Sequence, residues 1–170
     1  MSLIEVVFVI IILGASIPVL LRVWADLGWR SSRSEVIADA TFYAQQLMEE
    51  IKSKRFDENE DTPWTSSVNF GPDSTESSNN ADTFDDLDDF AGCADLRITT
   101  PASGYTRSAD IEYYRLNAST WEACGQAVTC VNPLNCASCS ECCYKRVVVT
   151  VSRNDNLVKD VKLATMVSGY

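Results

Sequence analysis

The chain has 170 residues, 46% of them apolar, which fits about one domain with a single hydrophobic core. It holds 24 acidic and 14 basic residues, and the net charge of −10 disfavours nucleic-acid binding, because phosphate contacts come from clustered Lys and Arg. The absence of histidine from the sequence excludes Ser-His-Asp triads, Cys-His nucleophiles, HExxH zinc helices and c-type haem attachment motifs. We therefore expect neither catalysis nor a cofactor.

An apolar segment opens the chain. No charged side chain occurs from Val6 to Leu21, and the flanking apolar residues bring the segment close to the roughly 20 that cross a bilayer. A cleaved signal peptide would have Lys or Arg before its apolar run, whereas the only charge there is Glu5. A plain membrane anchor leaves Glu5 unexplained, because a carboxylate in an apolar helix costs several kcal/mol unless it is paired.

The nearest candidate partner for Glu5 is the α-amino group of Met1. Within one helix that amine lies about a turn away along the axis, at roughly 1.5 Å rise per residue. A neighbouring chain displaced by one turn would bring its Met1 amine level with Glu5. Repeating this displacement gives a head-to-tail contact that does not close, and such a contact generates a filament.

The segment Met1-Ser2-Leu3-Ile4-Glu5, followed by an apolar run, resembles the mature N-terminus of type IV pilins and type II secretion pseudopilins. The resemblance covers the first third of the chain closely and the rest only in general layout. It implies a prepilin peptidase that removes a short basic leader and methylates the new amine. Since the sequence begins at Met1 without that leader, we expect either the processed form or a Met1 that is simply the initiator.

The resemblance further implies a structural subunit rather than an enzyme. Such a subunit resides in the bacterial inner membrane before assembly and then forms a homo-oligomeric helical filament at the cell surface, extruded by ATP-driven assembly machinery. Adhesion, motility and DNA uptake stay open as its purpose. A pseudopilin or a minor pilin that primes assembly is the alternative within the family, and a membrane-tethered binding module is the alternative outside it.

The same resemblance assigns roles within the first segment. Met1 and Glu5 serve assembly, and the filament core is built from Leu3, Ile4, Val6, Val7, Phe8, Val9, Ile10, Ile11, Ile12 and Leu13. Gly14 and Pro18 weaken a helix by about 1 and 3 kcal/mol. The resemblance favours a melted stretch around these two residues in the filament, with a tolerated helix kink as the alternative.

The sequence predicts four regions and an α+β fold. Residues 1–30 form the apolar helix, and residues 31–55 form an amphipathic helix that ends near Arg55. Ser32 or Ser34 is a candidate cap for a separate helix, so a break near Ser31 stays open. The apolar face of the second helix follows steps of three and four residues, at Val36, Ala40, Tyr43, Leu47 and Ile51, with Ile37, Ala44 and Met48 alongside.

Residues 56–96 carry twelve acids and no base, which accounts for the whole net charge. We expect an irregular, exposed surface loop region. Calcium binding is the alternative, because hard cations take several carboxylate oxygens, but the spacing does not fit an EF-hand loop.

Residues 97–170 are predicted to form a β-rich head. Strand-forming runs lie around Ile98 and from Ile111 to Leu116, and a β-branched stretch runs from Val147 to Val151. Turn residues at 154–156 follow the stretch Tyr144 to Arg153 and predict a hairpin with the apolar residues beyond. An antiparallel sheet of this kind would pack on the second half of the long helix.

Seven cysteines lie in the globular part, at Cys93, Cys124, Cys130, Cys136, Cys139, Cys142 and Cys143. A head outside the cytoplasm meets oxidising conditions, so we expect disulfides, with one sulfur left free or paired between subunits. The spacing does not determine their connectivity. Thiolate binding of zinc or an iron–sulfur cluster from Cys136 to Cys143 is a weaker alternative. Asn117-Ala118-Ser119 matches a glycan acceptor sequon.

Overall fold

A computed structural model describes residues 2–59, 63–124 and 144–169. The chain divides into two compact units, residues 1–38 and 39–170. Helix α1, Leu3–Lys52, is unbroken over 50 residues and contains Pro18. The break considered near Ser31 is therefore wrong, and the helix ends three residues before Arg55.

The second unit includes the end of α1, whose apolar face is largely buried as predicted, although Tyr43 is half-buried and Ile37, which was assigned to the same face, is 47% exposed. The side chains that form this buried face are Ala40, Ala44, Leu47, Met48 and Ile51. The ring of Tyr43 packs edge-on against the ring of Tyr105 with centroids 5.1 Å apart. Arg107 donates hydrogen bonds to the Tyr43 carbonyl at 3.0 Å and the Gln46 side chain at 3.3 Å. The helix thus packs on the strand that carries Tyr105 and Arg107.

Four antiparallel strands form one sheet: β1 Tyr105–Asn117, β2 Thr120–Ala123, β3 Tyr144–Arg153 and β4 Val161–Ser168. Their order is β2-β1-β3-β4, so β1 and β3 are central. Ile111 lies opposite Val147, and Val149 lies opposite Leu163. Alternate β3 residues, among them Val147, Val149 and Val151, face the core, because successive side chains of a strand point to opposite faces. The predicted hairpin of β3 and β4 is confirmed.

Ile98 lies in a short helix, α2 Leu96–Thr99, and the prediction of a strand there is wrong. The Asp95 carboxylate accepts a hydrogen bond from the backbone N–H of Arg97 at 2.8 Å, which caps the helix. Ile98 is nevertheless buried, so it contributes to the hydrophobic core from a helix and not from a strand.

The acidic region is structured and partly internal. It contains three short 3₁₀ helices, Ser67–Asn69, Ala81–Thr83 and Asp88–Phe90. Phe84, Leu87 and Phe90 are buried, and so are the neighbouring acids Asp86, Asp88 and Asp89. The expectation of an exposed loop is wrong for this stretch, because the interleaved apolar side chains carry the acids into the core with them. Those acids satisfy backbone N–H groups inside: Asp86 Oδ1, for example, accepts from the N–H of Asp88 at 2.9 Å.

Candidate functional site

The start of α1 presents an apolar surface that no other described part of the chain covers. The ten side chains assigned above to a filament core are all exposed, from 44% for Val6 to 83% for Leu3. The helix is long and apolar enough to cross a membrane, and none of its most apolar 18-residue window is buried. Glu5 lies in its first turn, where its N–H bonds the Ser2 carbonyl at 3.0 Å, and Met1 lies outside the described residues. The geometry suits burial in lipid or against other helices.

Gly14 and Pro18 both lie inside the unbroken helix. A Cβ built on Gly14 would have no heavy atom within 4 Å, so nothing in the described chain requires glycine there. Melting around these two residues concerns a packed filament, and it stays a prediction.

Two of the seven cysteines are described. Cys93 is half-buried, and its thiol donates to the Ser78 carbonyl at 3.8 Å. Burial is the largest cause that raises the pKa of this thiol. Cys124 follows β2 and packs against the buried pair Trp64 and Tyr113. The other five lie outside the described residues: Cys130, Cys136, Cys139, Cys142 and Cys143. Disulfide pairing and thiolate metal binding therefore stay predictions.

The sequon lies at the exposed tip of the β1–β2 hairpin. Asn117 pairs with Thr120, and the two residues between them, Ala118 and Ser119, have φ of +44° and +80°. This left-handed conformation favours Gly or Asn, so the turn is strained. The Asn117 amide donates to the Glu122 carboxylate at 3.1 Å. Glycosylation at Asn117 stays a prediction.

A buried lysine, which the sequence reasoning missed, forms the most unusual polar cluster of the described chain. Lys145 on β3 has 0% of its surface exposed. Its ammonium contacts Asp88 Oδ1 at 2.5 Å, the Phe56 carbonyl at 2.6 Å and Asp57 Oδ2 at 3.0 Å. Both carboxylates are themselves buried. We name Lys145, Asp57 and Asp88 the lysine cluster.

Aromatic rings close the lysine cluster from solvent. The Lys145 Nζ atom lies 4.6 Å from the ring centroid of Phe56, 5.2 Å from that of Phe70 and 5.5 Å from that of Tyr113. Rings at such distances attract a cation through their π faces and also exclude water. The cluster is therefore a desolvated site with a cation, two carboxyl groups and an apolar wall.

Asp57 and Asp88 have different surroundings. Asp57 accepts hydrogen bonds from the backbone N–H of Thr65 at 3.0 Å and of Asn59 at 3.2 Å. Burial raises the pKa of Asp88 to about 7, although the Lys145 charge acts in the opposite direction. At neutral pH Asp88 thus has a substantial protonated fraction.

The cluster adjoins an acidic cavity of about 350 Å³, lined by Glu58, Asn59, Thr65, Ser66, Asn69, Gly71, Asp73, Asp86, Asp88 and Asp89. A hydrogen bond with Asp73 and then burial raise the pKa of Glu58 to about 7. Burial and the charge of Asp89 raise the pKa of Asp86 to about 6. A hydrogen bond for Glu58 and burial for Asp86, each reinforced by neighbouring acids, thus favour protonation of these two carboxyl groups.

Close to this cavity, oxygens of Glu76, Asp85 and Asp89 lie within 4.8 Å of one another, as ligands of a hard cation could. One Asp89 oxygen already accepts from the N–H groups of Asp85 and Asp86, each at 3.0 Å. Within the described residues, only the acidic side chains themselves point to a cation. The calcium alternative stays a prediction.

One signal in the sequence could have revealed the lysine cluster. Lys145 stands two residues before Val147, and alternate positions of a strand share a face. A lysine on the apolar face of a central strand must be neutralised by buried acids, and residues 56–96 are the richest source of them.

No protein-family model, curated protein or solved structure matches the chain.

Proposed function

We propose that the protein is a type IV pilin-like structural subunit that polymerises through the apolar start of α1. The observation that carries the proposal is the exposed apolar surface of residues 3–21, in which Glu5 is the only charge. A surface of this size on a chain that also builds a separate core calls for a lipid or protein environment. The resemblance of residues 1–5 to mature pilin N-termini favours a lipid environment before assembly and a protein environment, the filament core, after it.

Burial of these side chains supplies the driving force of assembly. Each Å² of apolar surface removed from water contributes roughly 25 cal/mol, and the contact needs no particular direction. Glu5 fixes the axial position of one subunit helix relative to the next. Its pairing with the Met1 amine of a neighbour neutralises both charges at only one displacement of the two helices along the axis. The second unit, with its own sheet and core, then stays in water.

The first test examines the native N-terminus in material sheared from cells. Mass spectrometry of the N-terminal fragment should find one methyl group, about 14 Da, on the Met1 amine, which keeps the charge of that amine. The protein should also be abundant in the sheared fraction. An unmethylated N-terminus together with absence from that fraction would refute the proposal and favour the membrane-tethered module.

The second test replaces the acid. Glu5→Ala should lower filament yield by roughly tenfold or more, as the loss of about 1.4 kcal/mol per subunit contact would. Glu35→Ala, an exposed acid of the same helix, serves as the matched control and should assemble normally. The strand signal in circular dichroism should be equal in both variants, because the core of the second unit does not use residue 5. Normal filaments from Glu5→Ala would contradict the assigned role.

The pseudopilin or minor-pilin alternative predicts a different stoichiometry. A major subunit dominates purified filaments, whereas a priming subunit is a minor component of fibres built from another chain. Quantitative mass spectrometry of purified filaments separates the two.

A further inference from the structure

We propose that Lys145 and Asp88 condense into an intramolecular amide, a covalent bond between β3 and the 3₁₀ helix Asp88–Phe90. The Lys145 Nζ atom contacts Asp88 Oδ1 at 2.5 Å in a site from which water is excluded. The carboxyl carbon is one C–O bond beyond that oxygen, which places nucleophile and electrophile near the range of an attack conformer. This proposal is independent of filament assembly.

The reaction requires a neutral amine, so the ammonium must first lose a proton. Asp57 Oδ2 lies 3.0 Å from Nζ, close enough to accept that proton. The Asp57 carboxylate is held in place by two backbone N–H groups, so it can act as a general base without moving.

The reaction also requires a carboxyl group with a hydroxyl to lose. The raised pKa of Asp88, about 7, gives a substantial fraction of the protonated acid at neutral pH. The neutral acid is the better electrophile, because no negative charge is shared over its two oxygens to repel the nucleophile and its hydroxyl can leave as water. Asp57 and Asp88 therefore fit complementary roles, base and electrophile.

The step balances without an outside reagent. Asp57 takes one proton from the Lys145 ammonium, and the free amine attacks Cγ of the protonated Asp88, forming the N–C bond. The C–O bond to the hydroxyl breaks, and that hydroxyl leaves as water with a second proton from the amine nitrogen. The products are an amide, one water and a protonated Asp57, which returns its proton to solvent. The adjoining acidic cavity, lined in part by Asp88, receives the water.

The bond would link two elements of the second unit. The rings of Phe56, Phe70 and Tyr113 surround its amine end. The bond would close a loop from residue 88 to residue 145. A cross-link over so long a loop restricts the unfolded chain strongly. A subunit exposed to extraction or shear gains kinetic stability from it.

Intact mass of the full chain, purified in detergent, reduced and denatured, tests the proposal. We expect a mass about 18 Da below that calculated from the sequence with the N-terminal modification found in the N-terminal fragment included, the loss of one water. Trypsin should fail to cleave after Lys145, and the digest should contain a branched peptide that joins Lys145 to Asp88. An unchanged mass, or a loss located to a linear peptide as a succinimide, overturns the proposal.

Variants assign the participants. Lys145→Arg keeps the charge but presents no nucleophilic amine, so the full mass should return, whereas Lys162→Arg on the exposed face of β4 should keep the loss. Asp88→Ala should also restore the full mass, and Asp85→Ala, three residues away, should not. Persistence of the loss in Lys145→Arg or Asp88→Ala would overturn the proposal even if either variant is less stable. Asp57→Asn should lower the cross-linked fraction at a fixed time after synthesis, and an unchanged fraction would exclude its role as base.

Discussion

Arg107 joins three elements of the second unit, and its removal should destabilise that unit severely. The side chain is 6% exposed, and it donates to the carbonyls of Tyr43 on α1 and of Ile98 and Arg97 on α2. Burial lowers the pKa of its guanidinium, and no carboxylate among the described residues lies within ion-pair distance of it. Three backbone carbonyls and the Gln46 side chain therefore accept the hydrogen bonds that replace water around this charge.

The magnitude follows from the contacts. Each hydrogen bond to a charged group contributes about 1.5–3 kcal/mol, and the desolvation of the guanidinium offsets a large part of the sum. Arg107→Met removes that desolvation cost but leaves the Arg97 and Ile98 carbonyls without this donor, at about 1–3 kcal/mol each, while the Tyr43 carbonyl keeps its helical hydrogen bond. We expect a net loss of about 3 kcal/mol, equivalent to a Tm lower by roughly 10 °C for a unit of this size.

Thermal unfolding of the full chain in detergent, followed by the strand signal in circular dichroism, measures the effect. Arg153→Met is the matched control, because Arg153 lies on the adjacent strand and its ion pair with Asp155 is half-exposed. A surface pair of that kind contributes at most about 1 kcal/mol. Equal Tm values for the two variants would refute the view that Arg107 holds α1 and α2 on the sheet.

Three further changes test other parts of the second unit. The raised pKa of Asp86, about 6, means that the folded state binds more protons than the unfolded state between pH 4 and 6, so stability should fall as pH rises through this range. Tm should be higher at pH 5 than at pH 7, and Asp86→Asn should reduce that difference. Gly169→Ala should lower stability by about 1–3 kcal/mol in denaturant titrations, because its Cβ would lie 2.4 Å from Trp64, whereas Gly28→Ala meets no atom within 4 Å and should be neutral or stabilising. Ser119→Gly should raise stability by about 1 kcal/mol, since φ of +80° costs glycine nothing, and no gain would mean that the turn is relaxed.

Short-range patterns in the sequence predicted the elements whose conformation depends mainly on residues that are close together in the chain. The alternation from Tyr144 to Arg153 coincides with β3, because β-branched residues on a half-buried strand leave no competing conformation. The steps of three and four residues from Ala40 to Ile51 predicted the buried face of α1, because residues at this spacing lie on one side of a helix. Ile98 was assigned wrongly, since the cap by Asp95 outweighs the β-propensity of one isoleucine.

The lysine cluster could not be derived in full from the sequence. The position of Lys145 on the core face is readable from its spacing to Val147, but the choice of partners is not. Asp57 and Asp88 are 31 residues apart and reach the lysine only through the tertiary fold. From composition alone, an acidic stretch is predicted to be exposed to solvent. Composition does not show which of its acids pair with a buried cation.

The position of the amphipathic helix in the chain also determines the order in which the second unit is completed. The buried face of Ala40 to Ile51 is synthesised first, while β3, which forms the centre of the sheet, ends about 100 residues later at Arg153. At 5–20 residues per second, the ribosome needs roughly 5–20 s to supply it. During that interval β1 emerges and offers Tyr105 and Arg107 to the helix, but the central strand β3 is still missing. The apolar face is therefore only partly covered until the last two strands emerge, so the rate of translation sets how long it stays exposed.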